Sequence, residues 1–186
     1  MSADARDALV TALDAYLSTP RCLPEEREAV RRMQALARTR ADCFERACPI
    51  GHFTGSAWIV DAAARNAILL HHRKLGLWLQ PGGHADGDGD LLRVAEREAN
   101  EETGLMNLEP LVEGIYDVDV HAIPAGKDGA HFHFDVRYAF RAPEGAEPLA
   151  NEESHAVRWF APDTIRELAP DRSVLRLLEK QQRIRT

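Results

Sequence analysis

The chain has 186 residues, of which 45% are hydrophobic and 28% are charged, and this composition predicts one globular domain of ordinary size, with room for an appendage. The formal net charge is −7 at pH 7. An acidic chain of this kind offers no basic surface to the phosphate backbone of a nucleic acid, so we expect no nucleic acid polymer as a partner. No apolar stretch approaches the roughly 18 residues of a membrane-spanning helix, so we expect no membrane partner either.

The first predicted elements are two helices. Apolar residues recur at helical spacing after a candidate cap at Ser2, and they are Leu9, Leu13, Tyr16 and Leu17. A second helix begins near Pro24, which suits a first turn, and its apolar seam consists of Val30, Met33, Leu36 and Ala37. A hairpin of about 40 residues is too small to be stable alone. We therefore treat residues 1–47 as an N-terminal helical extension that packs on the rest of the chain, residues 48–186, or on another subunit.

From Cys48 onward, short β-like runs are separated by Gly, Pro, Asp and Asn. The predicted strands are 55–60, 66–72, 77–80, 111–122, 131–140 and 156–160, and 123–132 is predicted to be a loop. Helices are predicted at 90–103 and from 162 to about 184, with an interruption at Pro170. This order predicts an α+β fold in which helices cover a mixed sheet.

Acidic residues are concentrated on the predicted helix 90–103. Glu98, Glu101 and Glu102 are spaced i, i+3 and i+4, so they lie within an arc of roughly 100° on one helix face. This face adjoins an apolar arc formed by Leu91, Ala95 and Ala99. Like charges at this spacing repel, and they repel more as water is excluded, so we expect a compensating cation. A solvated acidic face is the alternative interpretation.

Residues near the glutamates favour a ligand site. Gly82 and Gly83 provide a backbone that can offer a bare carbonyl to a ligand. Asp90 is a candidate N-cap and Gly104 stands where a C′ glycine belongs, so the helix would hold its carboxylates rigidly. Arg97 is placed to hold a neighbouring carboxylate with its guanidinium. An all-oxygen cluster of this kind suits Mg²⁺ or Mn²⁺ better than zinc.

The stretch from Gly83 to Leu105 resembles the Nudix box, in which a Gly is followed after five residues by Glu, and after seven more by Arg-Glu-apolar-x-Glu-Glu-x-Gly-apolar. The second half of the box is present at the right offsets, as Arg97, Glu98, Ala99, Glu101, Glu102, Gly104 and Leu105. Gly89 replaces the first Glu, which in the family supports the geometry around the Arg, so the efficiency of catalysis is in question. Asp88 or Asp90 could substitute for it. The resemblance covers residues 55–168.

The resemblance implies an α/β/α sandwich and hydrolysis of the pyrophosphate bond in a small nucleoside diphosphate derivative. It implies Glu98 and Glu102 as the main Mg²⁺ or Mn²⁺ ligands, with Glu101 as a further ligand. It also implies the Gly83 carbonyl as another ligand oxygen and Arg97 as the group that orients the glutamates. A nucleotide-binding module without turnover is the alternative. Isopentenyl-diphosphate-type isomerisation is a third possible function, but the sequence places no cysteine or other group where that reaction would need it.

Two further groups of residues complete the predicted site. Family members often take the general base from a loop before the last strand, where Glu152 and Glu153 stand; either is a candidate base or distal metal ligand, and a solvated pair is the alternative. On strand 131–140, His131, His133 and Arg137 share one face with Asp135, opposite an aromatic core face. That polar face either is solvated or binds the substrate's phosphates through His131, His133 and Arg137.

Several other interpretations stay open from the sequence. A histidine-rich metal site that includes His84 is an alternative for the polar face, although none of these histidines have the helical spacing that favours zinc. The tryptophans are predicted to be core, with base stacking by one of them as the alternative; they are Trp58, Trp78 and Trp159. The N-terminal helices lack a core of their own, which is compatible with a homodimer.

The cysteines and the first residues indicate the compartment. Cys22, Cys43 and Cys48 are an odd number without metal-ligand spacing. The first ten residues, MSADARDALV, have neither the basic nor the apolar region of a signal peptide. We therefore expect a reduced, cytoplasmic protein.

Overall fold

The computed structural model describes residues 3–126, 129–168 and 171–184. Five α-helices lie within these ranges: α1 Ala3–Leu17, α2 Arg27–Thr39, α3 Leu91–Thr103, α4 Pro162–Leu168 and α5 Arg172–Ile184. The same ranges contain eight strands: β1 Gly51–Val60, β2 Ala67–His72, β3 Trp78–Leu79, β4 Gly82–His84, β5 Glu109–Pro110, β6 Asp117–Ile123, β7 His131–Arg141 and β8 Ser154–Phe160. The candidate cap Ser2, the interruption at Pro170 and residues 127–128 of the predicted loop lie outside the described residues.

The strands form a mixed sheet in the order β3-β2-β1-β7-β5, and β4 pairs with β1, β6 with β7 and β8 with β2. Strands β1 and β7 run parallel, because the Phe132 amide donates to the Ile50 carbonyl at one end and the Ala142 amide donates to the Val60 carbonyl at the other. The pairs β1–β2, β2–β3, β2–β8, β5–β7 and β6–β7 are antiparallel. The predicted α+β fold with a mixed sheet is confirmed.

Two strands begin several residues away from the positions predicted, and two further short strands have no counterpart among the predicted ones. β1 begins at Gly51 rather than at residue 55. All of its residues are buried, so its sequence has no alternation of polar and apolar positions from which the start could be predicted. The predicted strand 111–122 begins only at Asp117, since Gly114 turns the chain with a φ of +72°. β4 and β5 have three and two residues, too few for a periodic pattern.

The chain divides into two compact units, each assembled from three segments. The first contains Met1–Gly55, Gly83–Val94 and Glu113–Tyr138, and the second contains Ser56–Gly82, Ala95–Val112 and Ala139–Thr186. Strands β1 and β7 and helix α3 pass from one unit into the other. Among the described residues, no helix combines the length and the apolar character needed to cross a membrane.

In the first unit, α1 and α2 form the expected hairpin. Gln34 donates from Nε2 to Oδ1 of Asp14 at 2.7 Å. The buried carboxylate of Glu26 then joins the hairpin to β6, because its Oε1 accepts from the Tyr16 hydroxyl at 2.6 Å and from the Val118 amide at 3.2 Å. A buried carboxylate needs such partners. Glu26 therefore binds the helical hairpin to β6 of the same unit.

In the second unit, α5 is held to β1 by one buried side chain. Gln181 accepts from the Trp58 indole at 2.9 Å and donates to the Ala64 carbonyl at 2.9 Å. Trp58 is fully buried, as predicted for a core residue. Trp78 and Trp159 are partly exposed, and the Trp159 indole donates to the Ala146 carbonyl at 3.0 Å.

Candidate active site

Both ends of helix α3 are fixed by the residues predicted to cap it. Oδ1 of Asp90 accepts from the Arg93 amide at 3.1 Å, which satisfies one of the free amides of the first turn. At the other end, Gly104 has a φ of +68° and its amide donates to the Asn100 carbonyl at 2.9 Å, as expected of a C′ glycine. The carboxylates between these caps are therefore presented from a rigid element.

Glu102 is the most deeply buried carboxylate of the box, with 5% of its surface exposed. Its Oε2 accepts from the Gly82 amide at 2.8 Å, so the start of β4 fixes the position of the carboxylate. Burial raises the pKa of Glu102 to about 7; the Gly82 hydrogen bond opposes this rise, and the charges of Glu98, Glu153 and Glu101 add to it. This carboxyl group gains from a nearby cation more than an exposed one would.

Glu98 lies on the same helix face and is half-buried. Arg97 donates from Nη2 to Oε1 of Glu98 at 2.7 Å. Burial raises the pKa of Glu98, Arg97 opposes the rise, and Glu101 and Glu153 add to it. Glu101 itself is exposed. The three glutamates therefore form the interacting cluster that their spacing predicts.

The loop before β8 adds a carboxylate to this cluster. Its position is tied to α3, because Asn151 donates from Nδ2 to the Glu101 carbonyl at 3.0 Å and the Leu149 amide donates to the Thr103 carbonyl at 2.8 Å. The Glu153 amide donates to Oδ1 of Asn151 at 2.9 Å. Glu153 raises the pKa of both Glu98 and Glu102, so its charge lies close enough to act on them. Glu152 is exposed.

The donor set fits a hard divalent cation. Its members offer carboxylate oxygens, which Mg²⁺ and Mn²⁺ prefer, and the mutual repulsion of Glu98, Glu101 and Glu102 is relieved when a dication lies among them. Gly83 follows Gly82 in β4 and is half-buried. Its carbonyl as a metal ligand stays a prediction.

The departure of the box at Gly89 has a steric explanation within the first unit. A Cβ atom at this position would lie 2.6 Å from Cβ of Ala5 in α1 and 3.3 Å from a ring carbon of Phe44. The N-terminal extension therefore occupies the space that a glutamate side chain would need. Asp88 is engaged by Arg93 at 2.6 and 2.8 Å, and Asp90 caps α3.

The polar face of β7 is buried at its second half. Arg137 is 2% exposed, and its guanidinium contacts three carboxylates, those of Asp135 at 2.7 Å, Asp117 at 3.2 Å and Asp119 at 3.5 Å. Asp135 also accepts from the Thr54 hydroxyl at 2.8 Å. The interpretation of this face as solvated is therefore wrong for Asp135 and Arg137. Their charges remain in the interior because they compensate one another.

His131 and His133, at the first half of β7, lie among other histidines. The ring centroid of His52 is 5.1 Å from that of His84, 5.1 Å from His131 and 4.9 Å from His133. Burial, followed by the neighbouring histidines, lowers the pKa of His52 to about 4 and that of His133 to about 3, so these two rings are neutral at pH 7. Binding of substrate phosphates by His131, His133 and Arg137 stays a prediction.

The contacts that three residues make with distant parts of the chain are not identified by the sequence analysis. His52 was hidden because the predicted β1 began three residues after it, and the glycine at position 51 was its only local signal. The sequence analysis also does not identify Asn151, which holds the loop that carries Glu153. An Asn side chain that accepts from the amide two residues later is a known turn signal. The sequence predicts that the Gly82 backbone can offer a carbonyl to a ligand. It does not predict that the Gly82 amide binds the carboxylate of Glu102.

Comparisons with known proteins identify the family and the fold of the chain. The NUDIX domain family model matches residues 52–178. Among solved structures, an Ap4A hydrolase of C. elegans in a binary complex is 18% identical, with a TM-score of 0.55 and coverage of 70% of this chain and 95% of that one. The dihydroneopterin triphosphate pyrophosphohydrolase of E. coli is 14% identical, with a TM-score of 0.58 and coverage of 69% and 92%.

A third structure, the NUDIX domain of Shewanella oneidensis NrtR complexed with ADP ribose, is 19% identical, with a TM-score of 0.52 and coverage of 72% of this chain and 88% of that one. At these identities the three structures show a shared fold. Nudix enzymes generally use divalent metal ions, and the family match supports the predicted enzyme class, a pyrophosphohydrolase. The family model spans more than half of the chain, and the chain therefore belongs to the Nudix family.

Proposed function

We propose that this protein hydrolyses the pyrophosphate bond of a small nucleoside diphosphate derivative, with Mg²⁺ or Mn²⁺ held by Glu98, Glu101 and Glu102. One observation carries the proposal: the buried carboxylate of Glu102 is fixed by the Gly82 amide at 2.8 Å and lies within the electric field of three other glutamates. A divalent cation bound among these carboxylates would offset their repulsion, and carboxyl groups with pKa values perturbed in this way cluster at functional sites.

The reaction needs charge neutralisation and an activated water. A divalent ion held by these carboxylates supplies both, because it neutralises the phosphoryl oxygens and lowers the pKa of the attacking water. Glu98 and Glu102 are the principal ligands in this proposal and Glu101, which is exposed, is an additional one. Arg97 keeps Glu98 in position through its 2.7 Å hydrogen bond.

Glu153 is the proposed general base. Its charge acts on Glu98 and Glu102, and its backbone is held by Asn151 and by the Arg73 amide, which donates to the Glu153 carbonyl at 3.0 Å. In the hydrolytic step the carboxylate takes one proton from water and the water oxygen bonds to phosphorus. The bond from phosphorus to the bridging oxygen breaks, and that oxygen keeps the electron pair and leaves as part of the second phosphate-bearing product. Glu152 remains the alternative base or a distal ligand.

The substrate class follows from charge and from related structures. An acidic protein accepts an anionic substrate when bound cations supply the attraction. Proteins of similar fold act on Ap4A and dihydroneopterin triphosphate or bind ADP ribose. These three compounds support a small nucleotide-type molecule as the substrate. A cytoplasmic setting and a homodimer remain predictions.

A nucleotide-binding module without turnover is the second candidate. The specific observation in its favour is the steric blockade at Gly89, where a Cβ would lie 2.6 Å from that of Ala5, because the first glutamate of the box has no space. In the family that glutamate supports the arginine of the box. Here the arginine still holds Glu98 at 2.7 Å without it, so we place hydrolysis first.

Product release from a panel of nucleoside diphosphate derivatives tests the proposal. Purified protein is assayed with Mg²⁺, with Mn²⁺ and with a chelator, alongside Glu98→Gln and the control Glu96→Gln on the same helix. The proposal predicts metal-dependent turnover of at least one compound, lost in Glu98→Gln and kept in Glu96→Gln. Tight binding of a nucleotide with no product in either metal would instead establish the binding module.

A further inference from the structure

A group of histidines in the first unit has no role in the metal binding or proton transfer of the proposed hydrolysis. His52 stands at the start of β1, His84 ends β4, and His131 and His133 alternate on β7. Their rings are close neighbours, with centroids 5.0 Å apart for His84 and His133 and 5.3 Å apart for His131 and His133. His121 of β6 is paired in register with His133, at 5.5 Å between ring centroids.

His52 lies at the centre of this group and is 2% exposed. Neither of its ring nitrogens has a hydrogen-bond partner among the described residues. A buried polar group without a partner costs on the order of 1–3 kcal/mol, so it calls for an explanation, and a bound ion is one of those known in native proteins. A substrate phosphate is a poor ligand for this ring, because an anion selects protonated histidines and burial keeps His52 neutral.

The nitrogens of three rings converge. Ligand atoms of His52, His131 and His133 all lie within 4.8 Å of one another. In a tetrahedral site with metal–nitrogen bonds of about 2.0 Å, the nitrogens are about 3.3 Å apart. The three nitrogens therefore have to come closer together than they are here to hold a metal ion.

The backbone brings these rings together by a close approach of two strands. Gly51 has a φ of +139°, and a Cβ at this position would lie 2.0 Å from the Phe132 carbonyl oxygen. Only glycine permits this contact, and it sets His52 beside the residues on either side of Phe132. His131 is oriented further by its Nδ1, which lies 3.1 Å from the Gly129 carbonyl and leaves Nε2 available to a metal.

From this geometry we infer that His52, His131 and His133 form a second metal site, which binds Zn²⁺ or a similar borderline divalent ion and joins β1 to β7. Neutral imidazole nitrogens select such ions over Mg²⁺. His84 lies beside the three ligands as the nearest candidate for the fourth position. This use of His131 and His133 differs from the phosphate binding predicted from the sequence, and it does not involve Glu98 or Glu102.

Zinc binding to tag-free, metal-depleted full-length protein tests the inference. We expect Zn²⁺ uptake in which one equivalent, with a Kd of about 1 μM or lower, depends on the histidines. We also expect a higher Tm and the visible absorption of tetrahedral Co²⁺ on substitution with that ion. His131→Gln and His133→Gln should each weaken zinc binding by about 100-fold or more. The half-buried His131 is the first choice, because its substitution perturbs the interior least.

Matched controls separate this site from others. His155→Gln, in β8 and exposed, should bind zinc like the wild type, and Glu102→Gln should keep the equivalent that depends on His131 and His133. The inference is overturned if the folded protein takes up no zinc at stoichiometric concentration, or if His131→Gln and His133→Gln bind zinc as tightly as His155→Gln. Either negative result leaves the hydrolase proposal standing, since the glutamates are not members of the histidine group.

Discussion

The amide of Gly82 donates to Oε2 of Glu102 across 2.8 Å. This bond links the first residue of β4 to the last turn of α3, so it holds a buried carboxylate in place against the repulsion of Glu98 and Glu101. One hydrogen bond to the charged form favours ionisation, yet burial dominates and the pKa is still raised to about 7. The candidate active site is therefore under electrostatic strain before any cation binds.

This strain predicts an unusual pH dependence of stability. The pKa of Glu102 is raised from its ordinary value of 4.5 to about 7, so between these two pH values the folded state binds more protons than the unfolded state. The free energy of unfolding of the metal-free protein should therefore fall as pH rises from about 4.5 to 7, by up to about 3 kcal/mol. Chemical denaturation at several pH values measures this.

Glu102→Gln removes the group that titrates. Above pH 7 the metal-free variant should be more stable than the wild type, and the pH-dependent fall should shrink, while Glu96→Gln should follow the wild type. Apparent Mg²⁺ affinity of the wild type should rise about tenfold per pH unit below pH 7, because Glu102 must lose its proton. Equal stability of Glu102→Gln and wild type at pH 8 would count against a strained carboxylate.

A second prediction concerns the close approach at Gly82. A Cβ there would lie 2.1 Å from Oγ and 2.8 Å from Cβ of Ser56, so Gly82→Ala should cost about 1–3 kcal/mol of stability through overpacking and should reduce hydrolysis by displacing the amide that holds Glu102. Adding Ser56→Gly removes both clashing atoms and should restore part of the loss. A double-mutant cycle by thermal unfolding measures the coupling; additive effects would exclude the clash as the cause.

Restoring the first glutamate of the box should harm the protein. Gly89→Glu places a side chain where Ala5 and Phe44 already lie, so we expect a lower Tm and no gain in activity. Gly126→Glu is the matched control, because a Cβ at that glycine meets only the Pro124 carbonyl oxygen at 3.9 Å, and its Tm should stay unchanged. A faster enzyme with an unchanged Tm after Gly89→Glu would contradict the steric explanation.

The buried guanidinium of Arg137 on β7 should contribute mainly to the free energy of unfolding. Arg137→Met leaves the carboxylates of Asp117, Asp135 and Asp119 without their cation, and we expect a loss of about 3–5 kcal/mol. Arg166→Met, which breaks an exposed pair with Asp163, should change stability by less than about 1 kcal/mol. Unfolding in denaturant compares the two. A stable Arg137→Met whose main defect is a raised KM would support the phosphate-binding role predicted from the sequence.

Much of the fold and of the carboxylate cluster could be predicted, because both depend on local periodicity. The spacing of Glu98, Glu101 and Glu102 fixes a shared helix face, and the caps at Asp90 and Gly104 act within one or two turns. The features that escaped prediction depend on long-range approach. His52 meets His131 only because β1 contacts β7 at Gly51, and no pattern along the chain encodes which strand lies beside another.

The same limit applies to burial. Alternation along β7 correctly separates two faces, but it does not say whether the polar face meets water. In the structure, Asp117 on the adjacent strand pairs with Arg137, so the face is covered at that point and the charges are interior. Likewise, a sequence shows that Gly89 departs from the box, whereas only the position of Ala5 in α1 explains why.

Cation binding by Glu98 and Glu102 is measured most directly by the loss of the free Mn²⁺ signal in electron paramagnetic resonance when tag-free protein is titrated above pH 7. We predict that the wild type, Glu96→Gln and His131→Gln all take up Mn²⁺, and that Glu98→Gln and Glu102→Gln bind it at least about 10-fold more weakly. No uptake by the wild type, or equal uptake by all five proteins, would contradict a metal site in the box.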